Sequence, residues 1–127
     1  MRRIFPIAAL LAASAAPAFA ATVQPYTPAA FAAAQQQGKP ILAHVTAPWC
    51  PTCAKQLPIL SKLESDPKFS TLEVFNVDFD TQKSVLRAMG VQMQSTLIAF
   101  HGTIEEARST GETSEAAIRT LLDKTES

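Results

Sequence analysis

Cys50 and Cys53 are the only two cysteines in this chain, and Pro51 and Thr52 separate them. A disulfide between them would close a loop of four residues, and loops that short stabilise a fold least in the chain-entropy view. The spacing suits reversible thiol–disulfide exchange, because a first sulfur at a helix N-terminus lies over free N–H groups that favour its thiolate. A second sulfur about one turn later can attack a mixed disulfide made by the first. The pair therefore predicts disulfide exchange.

The dipeptide between the two cysteines shapes their turn. Pro51 has no backbone N–H, and it stands at the first position of the predicted helix, where a helix tolerates that lack. Neither Pro51 nor Thr52 carries a charge that would stabilise a thiolate, so the dipeptide does not by itself indicate a strong oxidant. The two residues either tune the cysteines or only shape the turn, and the sequence leaves both alternatives open.

Metal binding is the alternative chemistry for two closely spaced cysteines. A zinc site of two cysteines and two histidines would need His44 and His101, but these fall on different predicted strands. The paired short spacings that are typical of structural zinc are absent as well. Copper is the stronger alternative, since soft thiolates suit Cu(I). A copper-binding or copper-delivery module would use Cys50 and Cys53 as its ligands.

The segments around the cysteines predict alternating strands and helices, from the period of their apolar residues. The expected strands are 41–45, 71–78, 96–100 and 104–110, after an extended lead-in at 21–26. The expected helices are 28–37, 54–65, 81–89 and 114–124. In the second helix, Leu57, Leu60 and Leu63 recur on one side, and Pro58 should kink the helix without ending it. Such an order of elements indicates an α/β fold with a mixed sheet.

The first twenty residues have the pattern of a secretion signal. Arg2 and Arg3 form a positive start, residues 4–16 are apolar, and residues 18–20 read Ala-Phe-Ala, a small-residue cleavage site. The apolar stretch is too short and too interrupted by proline to span a bilayer comfortably. We therefore expect residues 1–20 to be a cleaved signal peptide. Residues 21–127 would then form one domain, periplasmic or otherwise secreted, that is not embedded in the membrane.

The charge of residues 21–127 limits the kinds of partner that are expected, and their cysteine content limits the possible disulfides. Without Arg2 and Arg3, nine basic side chains face eleven acidic ones, a formal net charge of −2. That balance argues against nucleic acid or an anionic membrane as the main partner. Since no other cysteine exists, there is no structural disulfide even in an oxidising compartment, and both sulfurs are free for function. We expect a monomer.

The motif Trp49-Cys50-Pro51-Thr52-Cys53 and the order of elements resemble the thioredoxin family over essentially all of residues 21–127. The cysteines directly follow the strand at 41–45, at the strand edge where open α/β sheets usually place their chemistry. Further landmarks of that family match at Pro58, Asn76, Val77, Asp78, Thr96, Gly102 and Gly111. The resemblance implies the thioredoxin fold, a central mixed sheet flanked by helices on both faces.

The resemblance also implies roles for the motif. Cys50 would be the exposed nucleophile and Cys53 the buried resolving thiol, with their disulfide as the redox group and no further cofactor. Trp49 would form the aromatic rim beside the disulfide, and ordinary packing is its alternative. Substrates would be protein thiols and disulfides, and a membrane thiol reductase would be a fitting electron donor. We expect a reductant, because the chain has thioredoxin size and no inserted domain to clamp unfolded polypeptides.

The chain departs from the family where a cis-proline usually precedes the third central strand. Ser95 holds that position, directly before Thr96, and no proline occurs after Pro67. We expect a trans Gln94–Ser95 bond, because a cis bond before serine costs roughly 2.5–4 kcal/mol. The serine hydroxyl could donate a hydrogen bond to the Cys50 thiolate, and its small size would leave room for water or a metal ion.

Two further departures concern the interior. The family often buries an acid in the first central strand as a proton acceptor for the resolving thiol, and His44 matches that position. The lysine that usually accompanies the acid is replaced by Val74. His44 is either a hydrogen-bonded core residue or a proton carrier for Cys53, since imidazole titrates near neutral pH.

Overall fold

Five strands form one sheet, and four helices cover its two faces in the computed structural model, which describes residues 12–13 and 20–126. The strands are β1 (Thr22–Pro25), β2 (Pro40–Thr46), β3 (Glu73–Asp78), β4 (Thr96–His101) and β5 (Ile104–Thr110). The helices are α1 (Pro28–Gln36), α2 (Pro51–Glu64), α3 (Lys83–Met89) and α4 (Glu115–Asp123). Short 3₁₀ turns lie at Pro67–Phe69 and Lys124–Glu126. Every predicted strand and helix is present, with small differences at the ends.

The predicted signal peptide at 1–20 lies outside the described residues, apart from residues 12, 13 and 20. Its cleavage and the secreted location stay predictions. In the part of the chain that the structure describes, no helix is long and apolar enough to cross a membrane.

The sheet has the order β1–β3–β2–β4–β5. β3 runs parallel to both of its neighbours, β1 and β2, whereas β4 is antiparallel to β2 and β5 is antiparallel to β4. β2 is therefore central, and its register sets His44 between Asn76 of β3 and Leu97 of β4. The sheet is mixed, as the sequence predicts.

Alternate residues of the central strands enter two separate cores. On one face, Ile41, Ala43 and Val45 pack with residues of α1 and α3. On the other face, Leu42 packs with residues of α2 and α4. Fully burying a side chain of this kind is worth about 1.5–3 kcal/mol. The second of these cores holds α2 against the sheet, and the cysteines lie at the start of that helix.

The prediction that Leu57, Leu60 and Leu63 share the inward face of α2 is partly wrong. Leu60 and Leu63 are buried, but the Leu57 side chain is 52% exposed. The buried stripe of the helix includes Cys53 and Gln56, so Leu57 is rotated about 100° past it. A glutamine therefore occupies the core position that the apolar spacing assigns to leucine. The helix continues through Pro58 to Glu64, so this proline does not end it.

Candidate active site

The cysteine turn begins where β2 ends. Cys50 is the N-cap residue of α2, with extended backbone angles, and Pro51 takes the first helical position. Proline fits there because its missing N–H would have no partner inside the helix. The Cys50 Sγ accepts a hydrogen bond from the Cys53 backbone N–H at 3.1 Å, and the two cysteines form a disulfide with their Cα atoms 5.3 Å apart. The first sulfur thus lies over the helix N-terminus, as its position in the motif predicts.

The expected exposure of Cys50 is not found in this disulfide-bonded state. Cys50 is 2% exposed and Cys53 is 1% exposed. Both cysteines pack with Ala47, and Phe79 lies against this small cluster. The disulfide is therefore nearly as protected as the hydrophobic core, and its neighbours decide from which side a substrate can approach.

Both cysteines line a cleft of about 670 Å³ between α2 and the β1 edge of the sheet. Val23 and Leu57, two large apolar side chains that are about half exposed, contribute to its walls. Asn76 of β3 also lines the cleft. The cleft therefore combines an apolar surface with polar side chains, including the amide of Asn76.

Trp49 is fixed although it is 56% exposed. Its Nε1–H donates to both carboxylate oxygens of Asp80, at 3.1 and 2.9 Å, and its ring meets the Phe79 ring edge to face at 6.2 Å. The Lys83 Nζ lies 4.2 Å from the centre of the Phe79 ring, within cation–π range. Asp80 and Phe79, in the loop after β3, therefore hold the Trp49 ring in place, and no sequence pattern indicates these contacts.

His44 is buried on the face of the sheet that α2 covers. Its Nε2 lies 3.0 Å from the Gln56 Oε1. Burial is the main influence on this group and lowers the pKa of His44 below its ordinary value of 6.5, against smaller raising effects of hydrogen bonds to Gln56 and Asn76. His44 is therefore a buried, hydrogen-bonded core residue in the disulfide state, and its lowered pKa favours the neutral imidazole. Its role as a proton carrier stays a prediction.

Gln56 is a buried residue of the site that the apolar pattern of α2 does not predict. Its amide Nε2 donates to the Ser95 carbonyl at 3.1 Å and to the Glu112 carbonyl at 3.0 Å. The side chain thereby links α2 with the loops before β4 and after β5. One signal was available, because position 56 lies on the same helical stripe as Cys53 and Leu60, where a polar residue needs partners.

Ser95 stands before β4 in a left-handed conformation, with a φ of +59°. Its N–H donates to the Val45 carbonyl at 2.7 Å, and its own carbonyl accepts from Gln56 and from the Gly111 N–H at 3.1 Å. A left-handed serine costs on the order of 1–3 kcal/mol, so these three bonds offset strain. No cis peptide bond occurs in the described residues, so the Gln94–Ser95 bond is trans.

The Ser95 hydroxyl does not make the hydrogen bond to Cys50 that the sequence suggests. The Ser95 Oγ donates to the Gln94 carbonyl, so its hydroxyl hydrogen is not directed at Cys50 in this state. The neighbouring Thr96 is also buried, and its Oγ1 donates to the Met93 carbonyl at 2.7 Å. Both hydroxyls therefore stabilise the turn before β4.

The two histidines do not meet. His101 lies at the far end of β4, and its Nδ1 is 2.8 Å from the Thr125 carbonyl oxygen. Among the described residues, no group of three or more His, Cys, Asp or Glu side chains is arranged to hold a metal ion. Ala47 and Phe79 pack against the disulfide, and Trp49 contacts Phe79. His44, Gln56 and the Ser95 turn form a separate hydrogen-bonded group.

Comparison with known proteins agrees with this geometry. The family profile described as Thioredoxin matches residues 22–124. The crystal structure of Trxlp from Edwardsiella tarda is 46% identical, with a TM-score of 0.78, over 80% of this chain and 98% of that protein. Two thioredoxins share the fold at lower identity. That of Malassezia sympodialis is 17% identical, with a TM-score of 0.72, over 85% of this chain and 95% of its own. That of Nicotiana alata is 20% identical, with a TM-score of 0.71, over 88% and 96%.

Proposed function

This chain belongs to the thioredoxin family, and it has the thioredoxin fold with a Cys50–Cys53 disulfide. From this premise we propose that the protein is a secreted thiol–disulfide oxidoreductase that reduces protein disulfides. The observation that carries the proposal is the position of Cys50 at the N-cap of α2, where the Cys53 N–H donates to its sulfur. A thiolate formed there gains from that donor and from the helix dipole.

The reaction proceeds through one mixed disulfide. In the reduced protein, the Cys50 thiolate attacks a substrate disulfide, a Cys50–substrate S–S bond forms, and the other substrate sulfur leaves as a thiolate that takes up a proton. Cys53 then loses its proton and attacks the Cys50 Sγ. The Cys50–Cys53 bond forms again, the second substrate thiol is released, and two electrons have passed to the substrate.

The second step needs a proton acceptor for Cys53. His44 can serve, since burial lowers its pKa and keeps the imidazole neutral and able to accept a proton at pH 7. Asn76, the register partner of His44 on β3, lines the same cleft as Cys53. A water molecule in this cleft could connect the thiol with the histidine.

The residues around the pair tune the exchange in this proposal. Trp49 presents an exposed aromatic surface to the substrate, and Pro51 and Thr52 form the first turn of α2. Ser95 and Thr96 shape the turn before β4. The protein acts as a monomer on protein thiols and disulfides, and it needs no cofactor besides the redox-active disulfide.

Features of the sequence and of the element order support the proposed direction of electron transfer and the proposed secreted location. The arginines, apolar stretch and Ala-Phe-Ala site of residues 1–20 fit a signal peptide, which would deliver residues 21–127 to the periplasm or another secreted compartment. In residues 20–126 the strands and helices follow one another without an inserted domain, which fits a reductant better than a foldase that clamps unfolded chains. A dithiol reductase in the membrane would then restore the reduced pair.

The reduction potential of the pair tests the proposed direction. Equilibrating the protein in glutathione buffers should give a potential close to that of reducing thioredoxins, about −270 mV, and insulin should be reduced in the presence of dithiothreitol. A value near −120 mV, typical of a strong oxidant, would reverse the direction. The mature mass of exported protein should correspond to cleavage after Ala20.

Copper delivery is the second candidate, because both cysteines line the same cleft and, once reduced, would offer the soft thiolates that suit Cu(I). A competition titration of the reduced protein with a Cu(I) chelator separates the two functions. Tight, stoichiometric Cu(I) binding that needs both cysteines, together with no insulin reduction, would support the copper function.

A further inference from the structure

We propose that Gln56 is a positioning residue that fixes which nitrogen of His44 can accept a proton. The side chain of Gln56 is fully buried between α2, the sheet and the two loops that it bridges. It has three polar partners at hydrogen-bond distance: the Ser95 carbonyl, the Glu112 carbonyl and the His44 Nε2. The chemistry of these partners determines the orientation of the amide and, through it, the tautomer of the imidazole.

The two carbonyl oxygens orient the amide of Gln56. A carbonyl can only accept a hydrogen bond, so the group that faces Ser95 and Glu112 must be the NH₂ group. Both of its N–H bonds are then used, at 3.1 and 3.0 Å. The remaining atom, Oε1, is the one that faces His44, and it can only accept.

The oriented amide selects the tautomer of His44. Since the Gln56 Oε1 accepts, the His44 Nε2 must carry the hydrogen that it donates across 3.0 Å. A neutral imidazole carries one N–H, so Nδ1 is left with its lone pair. A proton taken from Cys53 would therefore have to arrive at Nδ1. Asn76 is the register partner of His44 on β3, and it lines the same cleft as Cys53.

The same amide ties the imidazole to the strained turn before β4. Gln56 lies one helical turn after Cys53 and holds the carbonyl of Ser95, the left-handed residue. Rotation of the Gln56 amide would turn its oxygen toward the Ser95 and Glu112 carbonyls, so both hydrogen bonds would be lost and the Ser95 carbonyl would keep only the Gly111 N–H as a donor. The structure thereby keeps His44 in one tautomer, ready to act as a base, while it fixes the Ser95 turn.

A direct test uses the oxidised, ¹⁵N-labelled protein without substrate. Long-range ¹H–¹⁵N correlation spectra above the pKa of His44 should show a protonated Nε2 and an unprotonated Nδ1. Gln56→Met keeps the length and burial of the side chain but removes the acceptor and the donors. In this variant His44 should show the other tautomer or a mixture, whereas Gln36→Met, at an exposed position on α1, should leave the wild-type spectrum. An Nδ1–H tautomer in the wild-type protein would overturn the inference, even if Gln56→Met does not fold.

The expected effect of Gln56 on the exchange rate rests on the proposed function, in which His44 is the base, and the experiments below distinguish a failure of the tautomer assignment from a failure of that function. Gln56→Met should slow the resolution of the mixed disulfide by about tenfold to a hundredfold, as expected for a displaced catalytic group, and leave the alkylation rate of Cys50 unchanged. An unchanged tautomer in Gln56→Met would refute the positioning role. If the tautomer shifts in Gln56→Met but His44→Ala resolves as fast as wild type, the tautomer assignment is supported and the base role in the proposed function is refuted.

Discussion

The Cys53 backbone N–H donates to the Cys50 Sγ across 3.1 Å, so the sulfur of one cysteine caps the helix that carries the other. This is the place that a serine, threonine or aspartate oxygen takes in most N-capped helices. When the disulfide is reduced, a negative charge on Cys50 is stabilised there by the N–H donor and the helix dipole, by about 0.3–2 kcal/mol. Cys53 lies inside the first turn of α2, and its own N–H is the donor that the Cys50 sulfur uses.

The first prediction concerns the reactive thiol. With limiting iodoacetamide, the reduced protein should be labelled mainly at Cys50, because the N-cap position favours its thiolate. Peptide mapping of the label across pH measures this preference. As a second measurement, Cys53→Ala should accumulate mixed disulfides with substrates and Cys50→Ala should not. Preferential labelling of Cys53 would contradict the assignment.

The second prediction concerns the step that His44 assists. His44→Ala should slow the release of the mixed disulfide more than its formation, by about 10²–10⁴-fold if the imidazole is the general base. Stopped-flow measurement of both steps with a disulfide peptide gives the two rates. Equal effects on both steps, or a loss of stability with unchanged rates, would leave His44 as a core residue without a catalytic role.

The third prediction is a pH dependence of stability. Because burial lowers the pKa of His44 below 6.5, the unfolded chain binds a proton at a higher pH than the folded protein does. The buried, unprotonated His44 therefore contributes to the free energy of unfolding above pH 6.5. This contribution is lost as the pH falls from 6.5 toward the pKa of His44 in the folded protein, by at most about 1.4 kcal/mol per pH unit for one proton. Urea unfolding between pH 7.5 and about 5 should therefore show a steeper loss for wild type than for His44→Gln.

The comparison of the two proteins isolates His44. Burial raises the pKa of Glu64, which acts in the opposite direction at lower pH, but this carboxyl is present in both proteins and cancels in the difference. Parallel curves for wild type and His44→Gln would show that the histidine titrates alike in the folded and unfolded states.

The fourth prediction concerns Ser95. Its φ of +59° is far from the value of about −65° that proline requires, and its N–H is used by the Val45 carbonyl. Ser95→Pro should therefore lower the free energy of unfolding by about 3 kcal/mol or more, whereas Ser95→Gly should be neutral or stabilising by up to about 1 kcal/mol. Urea titration measures both. A Ser95→Pro variant as stable as wild type would show that the turn can adopt the family's usual proline conformation.

The fifth prediction separates two leucines of α2. Leu60 is buried, so Leu60→Ala should cost about 2–5 kcal/mol of unfolding free energy. Leu57 is half exposed at the cleft, so Leu57→Ser should change stability by less than about 1 kcal/mol. The midpoints of urea unfolding give both values. Similar large losses for the two variants would place Leu57 in the core after all.

The sequence alone determined the local features of this protein. The turn at Cys50 and Cys53, proline at the first position of α2, the succession of strands and helices, and the thioredoxin family were all predictable. Each of these depends on residues a few positions apart, since helix caps, turns and the period of apolar residues are properties of neighbouring residues.

Only the tertiary structure decided which side chains surround the sulfurs. Gln56 meets partners 12, 39 and 56 positions away, and Trp49 meets Asp80 across 31 positions. These contacts depend on the strand register and on the rotation of α2 against the sheet, neither of which the apolar period specifies to within one residue. For the same reason Leu57 is at the surface, Gln56 is in the core, and Cys50 is covered in the disulfide state.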